Sequence, residues 1–286
     1  MAVSRLMPRD PRREVLKSMV VRACSAIKST ESMRRAAQLA QQSGLNPALV
    51  DRLIGSDRAA NETALAAVAV GAYGNGSAEF MSLGAVAAAC GPAFAAYAFT
   101  SAALVVYFRE CLRLSGKDPA QFGRHAWATS AAAATLARWK GMDADQARLA
   151  GLLHNVGLGV MVWSDSEKYG RGSSPLAGTE AQVHEMESEL FGFDHQEAGA
   201  LCLKHCGFPN DLGDVAATHH SATVEGLAGI VRTADIAAHQ MGCDLGFANS
   251  LPASAQVKFE SIGEEKLAEL AGVVSAAMTN FNRLRV

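Results

Sequence analysis

Runs of alanine constrain this chain more than any other feature. Whole stretches are dominated by it, Ala131 to Ala134 being the plainest. Alanine is the strongest helix former, and its small side chain lets helices approach closely. Of the 286 residues, 49% are apolar but only 6% aromatic, so a core has to be assembled mainly from Ala, Leu, Val and Met. An all-α fold of tightly packed helices follows, with enough apolar material for one large domain or two small ones.

Helix punctuation supports this reading. Asn46-Pro47 offers an N-cap followed by proline at the first helical position, and Gly55 follows the apolar run Ala48, Leu49, Val50, Leu53 and Ile54. Asp118-Pro119 repeats the device and opens a long helix through Trp139, stopped by Gly141. Asp143 with Gln146, and Asp194 with Glu197, make capping-box starts, the second after Gly192 closes the preceding helix. Pro209 interrupts between two further helices and Gly242 ends a late one. No alternation of period two marks a strand. Ser164 to Thr179, rich in Ser and Gly, reads as an exposed loop, and Ser115-Gly116-Lys117 divides the chain into two helical parts.

Charge and cysteines exclude several classes. The net charge of −2 provides no field for nucleic acid or anionic membranes. The basic start (Arg5, Arg9, Arg12, Arg13, Lys17, Arg22) is explained most simply as a solvated arm. Six cysteines (Cys24, Cys90, Cys111, Cys202, Cys206, Cys243) show no framework spacing. Cys202 and Cys206 can share a helix face, but no further pair at matching spacing completes a zinc site, so buried reduced thiols in a cytoplasmic protein are expected. Met1 to Arg13 lacks the apolar segment of a signal peptide. Phe80 to Phe108 carries no charge and is long enough to span a bilayer, yet Gly91-Pro92 breaks it, and two buried core helices are the better account.

The histidines carry the chemical information. His125, His154, His195, His219 and His220 fall largely on helical segments beside apolar neighbours, where they can converge inside a bundle with Asp235. Taken singly, each reads as a core histidine satisfied by hydrogen bonds. Gly123-Arg-His-Ala-Trp-Ala128, Ala150-Gly-Leu-Leu-His-Asn155, Gly192-Phe-Asp-His-Gln-Glu-Ala-Gly199, Gly207-Phe-Pro209, Thr218-His-His-Ser221 and Ala234-Asp235 together resemble the HDOD family, the signalling-associated branch of the HD phosphohydrolase superfamily. Asn46-Pro-Ala-Leu-Val50, and Met81-Ser-Leu83 through Cys90-Gly91, resemble that family's N-terminal landmarks.

This resemblance covers residues 14 to 245 and implies an N-terminal helical subdomain packed on an HD-like helical core. The expected units are an arm (1–13), the N-terminal subdomain (14–116), the HD-like subdomain (117–245) and a C-terminal helical extension (246–286). In the superfamily's enzymes a histidine, a His-Asp pair and a later aspartate bind a divalent metal. The matching positions are His125, His154, Asn155 and Asp235, with His195, His219 and His220 in places where multi-metal relatives have further ligands.

Asn155 departs from the pattern. An amide offers a neutral oxygen where a carboxylate would add a charged ligand able to bridge metals, so only weak divalent-metal binding and no catalytic residue are expected. A non-catalytic regulatory module working through signalling protein partners, with no nucleic acid and no membrane span, is the leading expectation. A metal-dependent phosphohydrolase or cyclic-nucleotide phosphodiesterase using His125, His154 and Asp235 is the alternative. Alanine-rich faces leave oligomerisation open, since they serve packing within and between chains equally.

Overall fold

The computed structural model describes residues 11–42, 44–71, 73, 78–113, 115–167, 180–221, 223–243, 245 and 262–283. Among these, all regular structure is helical, as the alanine content requires. The expected loop at Ser164 to Thr179 lies outside the described residues from 168 onward, and most of the N-terminal arm lies outside them too.

The first part of the chain contributes α1 (Pro11–Ala26), α2 (Thr30–Gln41), α3 (Pro47–Ile54), α4 (Arg58–Ala69), α5 (Leu83–Cys90) and α6 (Pro92–Leu112). Helices α2 to α5 gather around α6, which is buried along most of its length. Gly91 sits between α5 and α6 at φ +93, a conformation open to glycine, and Pro92 then starts α6. The uncharged stretch is therefore two helices, and among the described residues no helix is long and apolar enough to cross a membrane.

The second part is built on α7 (Pro119–Trp139), against which pack α8 (Ala144–Leu153), α13 (Gly226–Gln240) and α14 (Glu264–Asn282). The remaining elements are α9 (Val156–Ser164), α10 (Glu180–Phe191), α11 (His195–Cys206) and α12 (Asn210–Thr218). The Asp118 side chain accepts from Ala120 N at the start of α7, and Gly141 beyond its end adopts φ +66. At α11 the capping box is complete: Asp194 accepts from Glu197 N, and the Glu197 side chain accepts from Asp194 N. At α8 only half of the expected box forms. Asp143 caps Asp145 N and Gln146 N, while the Gln146 amide donates to Asp211 on α12.

Small residues set the spacing of the core helices. Buried Ala132, Ala133 and Ala134 line α7, and a Cβ on Gly151 of α8 would lie 3.0 Å from Ser130 Cα. A close crossing joins α9 to α11, where a Cβ on Gly157 would stand 2.5 Å from Gly199 N and overlap His195 O. Helix α6 packs on both α7 and α9 and thereby ties the two parts together. The Tyr107 hydroxyl reaches across this joint and donates to Val156 O at 3.2 Å. Helix α1, though first in the chain, packs on α9 and α11.

Candidate functional site

Four of the expected residues converge from three directions. His125 comes from the middle of α7, His154 and Asn155 from the junction of α8 and α9, and Asp235 from α13. All are buried: His125 and His154 are 0% exposed, Asp235 2% and Asn155 4%. His125 Nδ1 lies 2.7 Å from Cys243 O, and His154 Nδ1 lies 2.7 Å from Gly151 O. A carbonyl only accepts, so both rings donate from Nδ1, and in their neutral form the Nε2 lone pair faces inward.

Those two Nε2 atoms face each other at 3.3 Å, and Asp235 Oδ1 lies 3.1 Å from the first and 3.7 Å from the second. Three acceptors thus share one point, and Asp235 Oδ1 accepts no well-aligned hydrogen bond. A third imidazole, His239 on the next turn of α13, brings Nε2 to 3.5 Å from the same oxygen. Burial works to raise the Asp235 carboxyl, but His239, His125 and His154, where they take up a second proton in place of a cation, hold it well below the usual carboxylate range. Ligands about 2.1 Å from a six-coordinate ion are about 3.0 Å apart, so this donor set fits a single divalent cation.

Asn155 is the exception within the group. Its Nδ2 stands 3.3 Å from His125 Nε2, so the amide donates toward a lone pair that a metal would use. Its Oδ1 is buried and has no hydrogen-bond partner among the described residues. Exchanging the amide nitrogen and oxygen would supply a neutral oxygen ligand, never the negative charge of a carboxylate.

The other three expected histidines form a second group in contact with the first. His219, at the end of α12, directs Nδ1 to Ala216 O at 2.9 Å and sits 5.0 Å, ring to ring, from His154. His220 follows at 4.0 Å from His219, and its Nε2 lies 3.1 Å from His195 Nε2. Burial, aided by neighbouring imidazoles, lowers both His219 and His220 well below the ordinary histidine range.

Sequence reasoning missed the residues that orient this second group. Glu187, fully buried on α10, takes both the His195 backbone N–H at 2.8 Å and its Nδ1–H at 2.7 Å. His184, one turn earlier, places Nδ1 at 3.1 Å from Asp194 Oδ2, and its Nε2 has no hydrogen-bond partner among the described residues. The carboxylates fix the tautomers, as partners behind metal-binding histidines do. His184, His195 and His220 each bring a ring nitrogen within 4.8 Å of the others, which is a further donor set able to hold a cation. The overlooked residues carried a faint signal: His184 and Glu187 are three apart, Asp235 and His239 four apart, so each pair shares a helix face.

The same arrangement of helices recurs in solved structures. An HDOD domain protein of unknown function from Geobacter sulfurreducens aligns over 95% of this chain and 99% of its own, with TM-score 0.68 and 19% identity. A candidate phosphohydrolase from Shewanella amazonensis SB2B aligns over 93% and 98%, with TM-score 0.67 and 16% identity. A candidate signal transduction protein from Marinobacter aquaeolei VT8 aligns over 96% of this chain and 66% of its own, with TM-score 0.60 and 15% identity. At such identities the likeness is one of fold. No curated protein sequence matches the chain. The HDOD domain model matches residues 28–222, a span that includes every histidine of the expected site and stops short of Asp235. The chain belongs to the HDOD domain family.

Proposed function

We propose that this protein is a non-catalytic regulatory module of the HD superfamily, acting through contacts with signalling proteins, whose buried His/Asp centre is a degenerate metal site. The observation that carries the reading is Asn155. Its amide nitrogen faces His125 Nε2 at the place where the superfamily's enzymes have the aspartate of the His-Asp pair. Such an aspartate is the ligand able to bridge metals, and a metal-bound water loses its proton readily only when the ion is held and oriented for it. Here His125, His154 and Asp235 could hold one divalent cation, with Asn155 adding no charge. Bound there, the cation would supply Lewis acidity; without a bridging carboxylate its main effect is to fasten α7, α8 and α13 to one another. Family membership and the Marinobacter relative described as a signal transduction protein support the regulatory role.

The alternative, a metal-dependent phosphohydrolase or cyclic-nucleotide phosphodiesterase, is favoured by the inward lone pairs of both histidine groups and by the Shewanella relative. One experiment separates the two. The protein is purified without chelator, its metal content measured, and hydrolysis of bis(p-nitrophenyl) phosphate and cyclic dinucleotides followed with added manganese, iron or zinc. The regulatory reading expects the same background rate from the wild type and from His125→Ala. A wild-type rate well above that of His125→Ala and Asp235→Ala would overturn it.

A further inference from the structure

A different cluster lies at the opposite end of α11 from His195. Cys202 and Cys206 are four residues apart and face the same side of that helix. Facing them is Cys24, which belongs to the buried stripe Leu16, Met19, Val20, Ala23 and Cys24 of α1. The three are 2%, 1% and 5% exposed for Cys24, Cys202 and Cys206. Cys24 Sγ lies 3.8 Å from Cys202 Sγ, and all three sulfurs are within 4.8 Å of one another. Spacing along the sequence pointed only to the pair on α11; packing of α1 supplies the third thiol.

We propose that Cys24, Cys202 and Cys206 form a three-thiolate site for a soft, thiophilic metal ion that clamps α1 to α11. An ion bonded to three sulfurs at about 2.3 Å in a plane spaces them about 4.0 Å apart. The Cys24–Cys202 separation of 3.8 Å already matches this spacing and the third sulfur lies within 4.8 Å of both, all wider than a disulfide, which requires closure to about 2.05 Å. Sulfur-only donors select soft ions over magnesium, calcium or manganese. A divalent ion with three thiolates carries one excess negative charge. Arg34 and His205, whose Nη2 and Nε2 are 3.4 Å apart, lie beside the cluster on its solvent side and offset it. Binding displaces the three thiol protons to solvent, and no oxidant or reductant is involved.

Cadmium(II) is the probe, added to the reduced full-length chain in a buffer free of thiols and chelators. The expected result is one thiolate-bound cadmium per chain, read from a sulfur-to-cadmium charge-transfer band in the ultraviolet. Imidazole ligands give no such band, so uptake by the histidine groups is distinguished from uptake here. In the wild type, alkylation followed by peptide mapping should show Cys24, Cys202 and Cys206 protected by cadmium while the exposed Cys90 is unchanged. Cys24→Ala, Cys202→Ala and Cys206→Ala should each weaken binding at least tenfold, and Cys90→Ala should not. No charge-transfer band, an unchanged alkylation pattern, a Cys24–Cys202 disulfide forming in place of the cadmium complex, or cysteine variants that bind as tightly as wild type would each overturn the proposal.

Discussion

Replacing Gly157 by alanine probes what holds the two histidine groups at their spacing. The glycine lies in the first turn of α9, two residues after Asn155, and crosses α11 where His195 begins that helix. A methyl group there would overlap His195 O and stand 2.5 Å from Gly199 N and 2.9 Å from Gly199 Cα. These are main-chain atoms, and no side-chain rotation relieves the overlap, so the helices have to separate by roughly 1 Å. Overpacking of this kind costs about 1–3 kcal/mol, and a backbone neighbour puts the cost near the top of that range. Alanine recovers about 1 kcal/mol over glycine in a helix, leaving a net loss of about 2 kcal/mol. For a chain of this size that lowers Tm by about 4–8 °C. The measurement is a urea melt followed by circular dichroism, with Gly272→Ala as control. Gly272 lies in α14 with nothing within 4 Å of an added Cβ, so its alanine variant should gain up to about 1 kcal/mol. If Gly157→Ala proved as stable as Gly272→Ala, the idea that backbone contact at this crossing sets the geometry of the centre would be refuted.

Acidification should destabilise the fold in two stages. His219 and His220 are held neutral in the folded chain by burial, whereas the unfolded chain takes up those protons near about pH 6.5. Their contribution is therefore present above that value and lost as pH falls below it; Asp235, also depressed, adds a second decline below about pH 4. Urea midpoints measured from pH 8 down to pH 3 should show the first decline, and His220→Gln should flatten it. Asn155→Asp should raise manganese affinity at least tenfold by calorimetric titration, and an unchanged affinity would remove Asn155 as the cause of a weak site. Asp194→Ala removes the cap of α11 together with the carboxylate on His184, and should cost about 1–2 kcal/mol in a chemical melt; a loss below about 0.3 kcal/mol would show that neither contact supports the helix.

Local chemistry was legible in the sequence and tertiary convergence was not. Asn46, Asp118 and Asp194 act as the caps their positions suggested, because a cap needs only the next three residues. Asp143 shows the limit: its own side chain caps α8, but Gln146 is drawn to Asp211 on a helix far along the chain. The break at Gly91-Pro92 was equally readable, since a positive φ followed by proline ends one helix and starts another. Resemblance to a family brought His125, His154, Asn155 and Asp235 into one group, and the geometry joins them. His184, Glu187 and His239 escaped notice because nothing local distinguishes a buried ligand from a surface residue at the same helical spacing. Cys24 escaped for the same reason: its stripe marks a buried face, while the face it meets is set by how α1 folds back onto α11.

The rings of His239, His125, His154, His219, His220, His195 and His184 form an unbroken column, each 4.0–5.3 Å from the next. Among the described residues, carboxylates lie against it at Asp235 beside the first three rings, Glu187 beside His195 and Asp194 beside His184. Seen as a store of charge, the column can balance these carboxylates with protons on its imidazoles or with bound cations, beside the positive charge that the buried Arg232 already brings to His219. The interior of this protein therefore has a preferred filling, and a proton or cation added at one end changes the cost of adding another at the far end.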